Sequence, residues 1–186
     1  MRNVRSGKEK TPGPDRITHR ELVERGASWL RTHKHKVVCT ETVTKCHEVP
    51  DVIGWKGVSS TLIECKVSRA DFKKDQEKLS RIDANKRVGQ ARYYLTPPGL
   101  IQESELPRGW GLLELHGLSI REQVKSVRAR SPLIAANELK IVLSLLRRAE
   151  LRGVVLTETL SERLKAERAG RRSKKIVLGE RLDENT

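Results

Sequence analysis

The segment Ser60-Thr-Leu-Ile-Glu-Cys-Lys-Val67 decides how this chain folds. Its apolar and β-branched residues predict a strand, and successive side chains of a strand point to opposite faces of the sheet. Glu64 and Lys66 therefore share one face. The opposite face receives the residues that we expect in the core: Ile63, Cys65 and Val67. Burying a charged pair at the end of an apolar strand costs free energy, which indicates that the pair has a functional role.

The segments on either side predict an α/β sandwich, a central mixed sheet flanked by helices, with a C-terminal helical extension. Thr18 and Glu21 form a capping-box pattern before an apolar helical repeat. Short links between the first three strands favour antiparallel pairing. The predicted elements are helices at 18–31, 69–81 and 132–152, and strands at 36–44, 49–55, 60–67, 91–96, 110–115 and 119–124.

Composition divides the chain into four parts. Residues 1–16 are polar and basic, which predicts a flexible arm. Residues 17–126 hold all six aromatic residues and form the predicted main domain. Residues 127–170 are predicted as a helical extension, and 171–186 as a basic, disordered tail.

The charge of the chain favours an anionic partner. The 186 residues include 38 Lys and Arg against 24 Asp and Glu, a formal net charge of +14. Nucleic acid is the commonest partner of so basic a chain, although an acidic surface or flanks that merely aid solubility also fit. No membrane partner is expected, because the longest apolar-rich stretch, 133–146, is short and contains charges.

The cysteines and the N-terminus predict a cytoplasmic location. Three cysteines are an odd number in a chain long enough to build a core, which predicts reduced thiols. The first residues contain no apolar stretch typical of a signal peptide.

Asp51 extends the charged pair into a set that suits phosphodiester hydrolysis. It lies at the start of the preceding strand, so its carboxylate can approach Glu64. Two carboxylates and a main-chain carbonyl suit Mg²⁺ or Mn²⁺, which activates water and stabilises charge on a phosphate. Lys66 can orient the water and offset the phosphate charge.

Pro50-Asp51 followed by Glu64-Cys65-Lys66 resembles the PD-(D/E)xK motif of the restriction-endonuclease-like nuclease superfamily. The wider strings are similar to small bacterial and phage members and to the MmcB-like DNA-repair group: 48–55, 63–72, 92–100 and 106–113. The resemblance covers about residues 17–126. It implies a restriction-endonuclease-like core and a Mg²⁺- or Mn²⁺-dependent, structure-selective DNA nuclease of repair, recombination or phage DNA processing, in a bacterial or phage-infected cell.

Carried over residue by residue, the resemblance implies that Asp51 and Glu64 are metal ligands and that Lys66 is the catalytic lysine. The main-chain carbonyl of Cys65 is implied as a further ligand. Many members add an acid from the first helix. Two glutamates compete for that role, Glu21 and Glu24, and the capping box slightly favours Glu24.

Other residues have both a structural and a functional interpretation. Three basic side chains are candidates for contacts to DNA phosphates: Arg69, Lys73 and Arg92. Ser68 is equally well explained as the cap of the following helix. Gln90 and Tyr94 match the QxxxY pattern of RecB-type nucleases, but Gly89 and the β-type run favour coincidence.

A zinc site is a minor alternative. The candidate ligands are His33, His35, Cys39, Cys46 and His47, whose spacing matches no common zinc finger. Cys39 also lies in an apolar strand, where a free cysteine packs as a small hydrophobe.

Three functions remain open from the sequence. The first is a metal-dependent DNA nuclease. The second is a DNA-binding protein on the same fold that does not cleave. The third is an interaction protein whose apolar helix at 133–151 docks a partner, covers the sheet or forms a homodimer.

Overall fold

A six-stranded sheet organises the residues that the computed structural model describes, 17–44 and 46–151. Its strands lie in chain order: β1 (Val37–Thr40), β2 (Val52–Lys56), β3 (Ser59–Cys65), β4 (Ala91–Thr96), β5 (Gly111–His116) and β6 (Ser119–Val124). Pairing is antiparallel from β1 to β3 and between β5 and β6, and parallel from β3 to β5. The predicted mixed sheet of an α/β fold is therefore confirmed.

Four α-helices accompany the sheet in this part of the chain: α1 (His19–Thr32), α2 (Arg69–Gln76), α3 (Leu79–Ile82) and α4 (Pro132–Leu151). Short 3₁₀ turns occur at Ala84–Lys86 and Glu103–Glu105. The Thr18 hydroxyl accepts a hydrogen bond from the Glu21 amide at 3.2 Å and so caps α1, as the sequence predicts.

Two predicted elements differ most from the structure, while the strand predicted over 49–55 begins at Val52 and the strand predicted over 60–67 ends at Cys65. The helix predicted over 69–81 is interrupted, because Lys78 between α2 and α3 has an extended backbone (φ −61°, ψ 141°). The strand predicted over 36–44 ends at Thr40, because Glu41 adopts a positive φ of 45° that an extended strand does not accommodate.

One face of the sheet packs on α1 and is almost wholly apolar. The buried side chains of this core are Leu22, Val23, Ala27, Leu30, Val52, Ile63, Cys65, Ala91, Tyr93, Leu95, Leu113 and Leu115. The alternation of β3 sends Ile63 and Cys65 to this side, as predicted. Burial of this core removes the apolar surfaces of α1 and of the sheet from water, which is the main stabilising feature of the fold.

The opposite face carries Glu64 and packs on α2 and on the first turns of α4. Phe72 of α2 meets Tyr94 of β4 edge to face, with ring centroids 5.1 Å apart. Glu138 of α4 accepts hydrogen bonds from Trp55 Nε1 at 3.0 Å, Ser60 Oγ at 2.6 Å and the Gly89 amide at 2.9 Å. These bonds anchor α4 near the beginning of β3, away from the end that carries Glu64.

The buried side of α4 is not the apolar side that hydropathy indicates. The sequence predicts a common apolar face formed by Leu139, Val142, Leu143 and Leu146. The structure instead buries Ile134, Asn137, Glu138 and Ile141, and leaves Leu139 and Leu143 exposed. The polar members are buried because they bond to distant backbone groups, Asn137 Nδ2 donating to Asn85 O at 2.8 Å.

The chain divides into two units between Ser144 and Leu145, and this boundary falls within α4. The sheet, α1 to α3 and the first turns of α4 belong to the first unit. The predicted arm at 1–16, the tail at 171–186 and the extension beyond 151 lie outside the described residues. None of the helices among the described residues has the length and apolarity needed to cross a membrane.

A buried carboxylate and lysine cluster as the candidate active site

Strand pairing brings Asp51, Glu64 and Lys66 together at one end of the sheet. Val52 pairs with Ile63, so Asp51, which precedes β2, lies beside the end of β3. Asp51 Oδ2 accepts a hydrogen bond from the Cys65 amide at 2.7 Å. This bond fixes the Asp51 carboxylate against the strand that carries the other two residues.

The lysine stands between carboxylates. Lys66 Nζ lies 3.4 Å from Glu64 Oε2 and 4.0 Å from Asp51 Oδ2. Glu64 is fully buried and Lys66 is 3% exposed. The three residues converge as their strand positions predict, although their chemical role is not tested by this geometry.

Asp75 of α2 is a fourth member that the sequence did not reveal. Its Oδ1 lies 3.2 Å from Lys66 Nζ, and its Oδ2 accepts a hydrogen bond from the Tyr94 hydroxyl at 2.8 Å. The sequence contains one indication of its position: Asp75 follows Phe72 by three residues, and residues at this spacing share a helix face. Both side chains are buried on that face.

Several cations surround these carboxylates. Arg81 Nε lies 2.9 Å from Asp75 Oδ2, and Arg81 Nη2 lies 3.3 Å from Glu64 Oε1. Arg81 and Arg92 both pair with Glu48, and both guanidinium groups lie over the Trp110 ring. The resulting group, called the ionic cluster below, has four carboxylates and four cations: Glu48, Asp51, Glu64, Asp75, Lys66, Lys78, Arg81 and Arg92.

The protonation equilibria of the cluster follow from burial and charge. Burial raises the pKa of Glu64 above its ordinary value, Asp51 raises it further, and Arg81 opposes both. Burial also disfavours the charged form of Lys66, yet Glu64, Asp75 and Asp51 outweigh it and raise the Lys66 pKa. Lys66 therefore remains an ammonium at neutral pH.

The first helix contributes a histidine to this region, and its two candidate glutamates pair with arginines of the same helix. Glu24 pairs with Arg20 at 3.0 Å, and Glu21 lies 4.0 Å from Arg25. His19 Nε2 lies 3.4 Å from Asp51 Oδ2. The proximity of α1 to the site was predicted, but the residue that makes the contact was not.

The three basic residues suggested for phosphate contacts have different surroundings. Arg69 is held by Glu105 and donates to Leu100 O at 3.0 Å, while Ser68 caps α2 by accepting from the Asp71 amide at 3.2 Å. Lys73 is exposed on α2. Arg92 is 6% exposed and faces the ionic cluster, and its contact to a DNA phosphate stays a prediction.

The two weaker sequence patterns have structural explanations. Gln90 precedes β4 and Tyr94 lies within it, so the QxxxY residues are not on a helix. Gly89 has a φ of 82°, and a Cβ there would lie 2.5 Å from Leu62 Cβ. Among the zinc candidates, His35 is buried with one ring nitrogen 3.0 Å from Leu30 O and the other 3.1 Å from Thr61 Oγ1.

The donor chemistry fits a divalent cation held by few protein ligands. No group of three or more His, Cys, Asp or Glu side chains within 17–44 and 46–151 is arranged to hold a metal ion. Mg²⁺, however, is commonly bound by one or two carboxylates together with water and substrate phosphates. Asp51 and Glu64 would supply two hard oxygen ligands to such a cation. Glu64 Oε1 is buried and makes no hydrogen bond in the described structure, and its nearby countercharge is Arg81 Nη2 at 3.3 Å.

Comparison with known proteins supports the fold alone. No protein-family model matches the sequence, and no curated protein matches it. A solved structure, the SPO1766 protein of unknown function from Silicibacter pomeroyi, is similar with a TM-score of 0.55 and 22% sequence identity. The match covers 77% of this chain and 98% of that one.

Proposed function

We propose that the protein is a metal-dependent DNA nuclease whose active site is formed by Asp51, Glu64 and Lys66. The observation that carries the proposal is the convergence of two carboxylates on one lysine, with Lys66 Nζ 3.4 Å from Glu64 Oε2 and 4.0 Å from Asp51 Oδ2. The resemblance to the PD-(D/E)xK motif gives this convergence a chemical meaning. The net charge of +14 supports an anionic, nucleic-acid substrate.

Each residue has a defined task in this proposal. Asp51 and Glu64, with the Cys65 carbonyl, would hold Mg²⁺ or Mn²⁺, which when bound activates water and polarises the phosphate. The Asp51 carboxylate is oriented by the Cys65 amide, and Lys66 is oriented by Asp75. Lys66 supplies a fixed positive charge beside the phosphate, where it offsets the charge that develops during hydrolysis.

Structure-selective action in DNA repair, recombination or phage DNA processing is part of the same proposal. The test is a panel of labelled DNA molecules, namely duplex, single strand, flap and junction, incubated with Mg²⁺, Mn²⁺ or EDTA. We expect cleavage of at least one structure with a divalent cation and none with EDTA. Cleavage that persists in EDTA contradicts the proposed metal dependence.

A DNA-binding protein that does not cleave is the second candidate, and one observation favours it. The four carboxylates of the ionic cluster already face four cations, so the cluster is balanced without a metal. Failure of the whole DNA panel to be cleaved, with binding retained, would favour this candidate.

Binding itself is testable through salt. Lys and Arg contacts release counterions from DNA, so affinity should fall steeply as NaCl increases, by about 10³-fold or more over a severalfold range for six or more contacts. Removing residues 1–16 and 171–186 should weaken binding to all sequences alike. Affinity that stays constant with salt contradicts the electrostatic argument.

Homodimer formation through α4 stays a prediction of its own. Leu139 and Leu143 of this helix are exposed and available to a partner. Light scattering of the full chain gives the oligomeric state directly, and a monomer at high concentration excludes this dimer.

A further inference from the structure

Lys78 differs from the other cations that contact Glu64 and Asp75. Its ammonium lies 3.3 Å from Glu64 Oε2 and 2.7 Å from Asp75 Oδ1. Lys66 and Arg81 make similar contacts, but only 4% of each side chain is exposed. The Lys78 side chain is 47% exposed, so its ammonium reaches the buried carboxylates from solvent.

The backbone of Lys78 is held independently of its ammonium. The Lys78 amide donates to Asp75 O at 3.1 Å, and Lys78 O accepts from the Arg81 amide at 2.8 Å. The side chain can therefore leave the carboxylates by rotating its own bonds, without a change in α2 or α3. Lysine is suited to such movement because its ammonium sits on a flexible four-carbon stem.

The ammonium and a divalent cation compete for the same carboxylate. A cation that binds Glu64 would approach Lys78 Nζ closely, and like charges at such separations repel strongly when partly buried. The charge balance points the same way. The four carboxylates and four cations of the ionic cluster give a net charge of zero. A divalent cation would add two positive charges, and withdrawal of the Lys78 ammonium would offset one of these two.

We propose that Lys78 is a displaceable countercharge of the candidate metal site: its ammonium neutralises Glu64 when no divalent cation is bound and moves into solvent when one binds. The inference rests on the proposed nuclease function. In this proposal the half-exposed Lys78 controls the entry of the cation to Glu64, whose carboxylate is fully buried.

Isothermal titration with Mn²⁺ tests this on the full chain. Lys78→Met removes the competing charge and should bind Mn²⁺ on the order of tenfold more tightly than wild type. Lys78→Arg retains the charge and should bind like wild type. Lys74→Met, at a lysine exposed on α2, is the matched control and should also leave the Mn²⁺ affinity unchanged.

Thermal unfolding gives a second measurement that does not require activity. Without metal, Lys78→Met should melt below wild type, because Glu64 and Asp75 lose a partner. Mn²⁺ should raise its melting temperature more than that of wild type, because tighter binding stabilises the folded state more.

The outcomes separate the two proposals. Equal or weaker Mn²⁺ binding by Lys78→Met, with clear binding by wild type, overturns the role of Lys78 and leaves the nuclease proposal intact. Absence of Mn²⁺ binding in every variant overturns the metal site itself, and the role of Lys78 with it.

Discussion

The two faces of the sheet are stabilised by different interactions. The face covered by α1 contains almost only apolar side chains, with Ile63, Cys65 and Leu95 fully buried. The face covered by α2 buries the ionic cluster, in which Glu64 is also fully buried. Apolar burial stabilises a fold by removing surface from water, whereas buried charges are tolerated only while they remain paired.

This difference separates the residues that build the fold from those that carry out its proposed function. Replacing buried ion pairs by apolar residues of similar volume is often neutral or stabilising, so stability alone does not explain a cluster of eight charged residues. Polar residues that violate core-packing rules are expected at functional sites. The apolar face is therefore a support, and the ionic face is the candidate site.

The largest effect on folding is expected at Asp75. Asp75→Asn removes one of the two carboxylates shared by Lys66, Lys78 and Arg81, and leaving buried positive charge uncompensated in this way costs about 3–5 kcal/mol. Urea unfolding followed by circular dichroism measures the loss. The control is Glu77→Gln, an exposed acid at the end of α2, which should change stability by about 0.5 kcal/mol or less.

A smaller effect is expected from acid. Burial alone would raise the Asp75 pKa, but Arg81, Lys66 and Lys78 hold it well below its ordinary value of 3.8. A depressed pKa stabilises the fold fully above the unfolded-state pKa, and this stabilisation is lost as pH falls through the folded-state pKa. Wild type should therefore lose stability below about pH 4 more steeply than Asp75→Asn. Parallel stability curves for the two proteins contradict this assignment.

The apolar face should respond less to a conservative change. Ile63→Val removes one methylene from the core beneath α1 and should cost about 0.5–1.5 kcal/mol by urea unfolding. A loss as large as that of Asp75→Asn would remove the contrast between the two faces.

The smallest effect should come from salt. Buried charge pairs are screened far less than exposed ones, so unfolding free energy should change by less than about 1 kcal/mol between roughly 0.05 and 0.5 M NaCl. Equilibrium unfolding at both concentrations measures it. A strong decrease in stability with salt means that the cluster is open to solvent.

The sheet could be predicted from the sequence because its strands follow local patterns. The predicted bounds of 91–96 match β4, where every residue is buried and β-type side chains are continuous. The break between α2 and α3 at Lys78 could not be predicted, because it depends on a contact distant in sequence: the Lys78 ammonium lies beside Glu64, 14 positions away. No local repeat of apolar residues encodes such a contact.

Part of the candidate site was predictable for a related reason. Glu64 and Lys66 share a face by strand alternation, and Asp51 follows from the neighbouring strand. Asp75 and Arg81 join them only through the folding of α2 and α3 over the sheet. His19 could not be predicted for a different reason: the family resemblance implies a carboxylate on α1, whereas the structure brings an imidazole to Asp51.

The most direct test of the account is single-turnover cleavage by wild type and Lys66→Met, using the DNA structure that wild type cleaves fastest in Mg²⁺. Removing such a preorganised charged contact should lower the rate by about 10²–10³-fold. Lys74→Met, at a lysine exposed on α2, is the control for the loss of one positive charge. Circular dichroism and gel shift establish whether Lys66→Met is folded and still binds DNA. We predict that Lys66→Met loses cleavage and retains binding. A folded Lys66→Met protein that cleaves at the wild-type rate contradicts the assignment of this cluster as the active site.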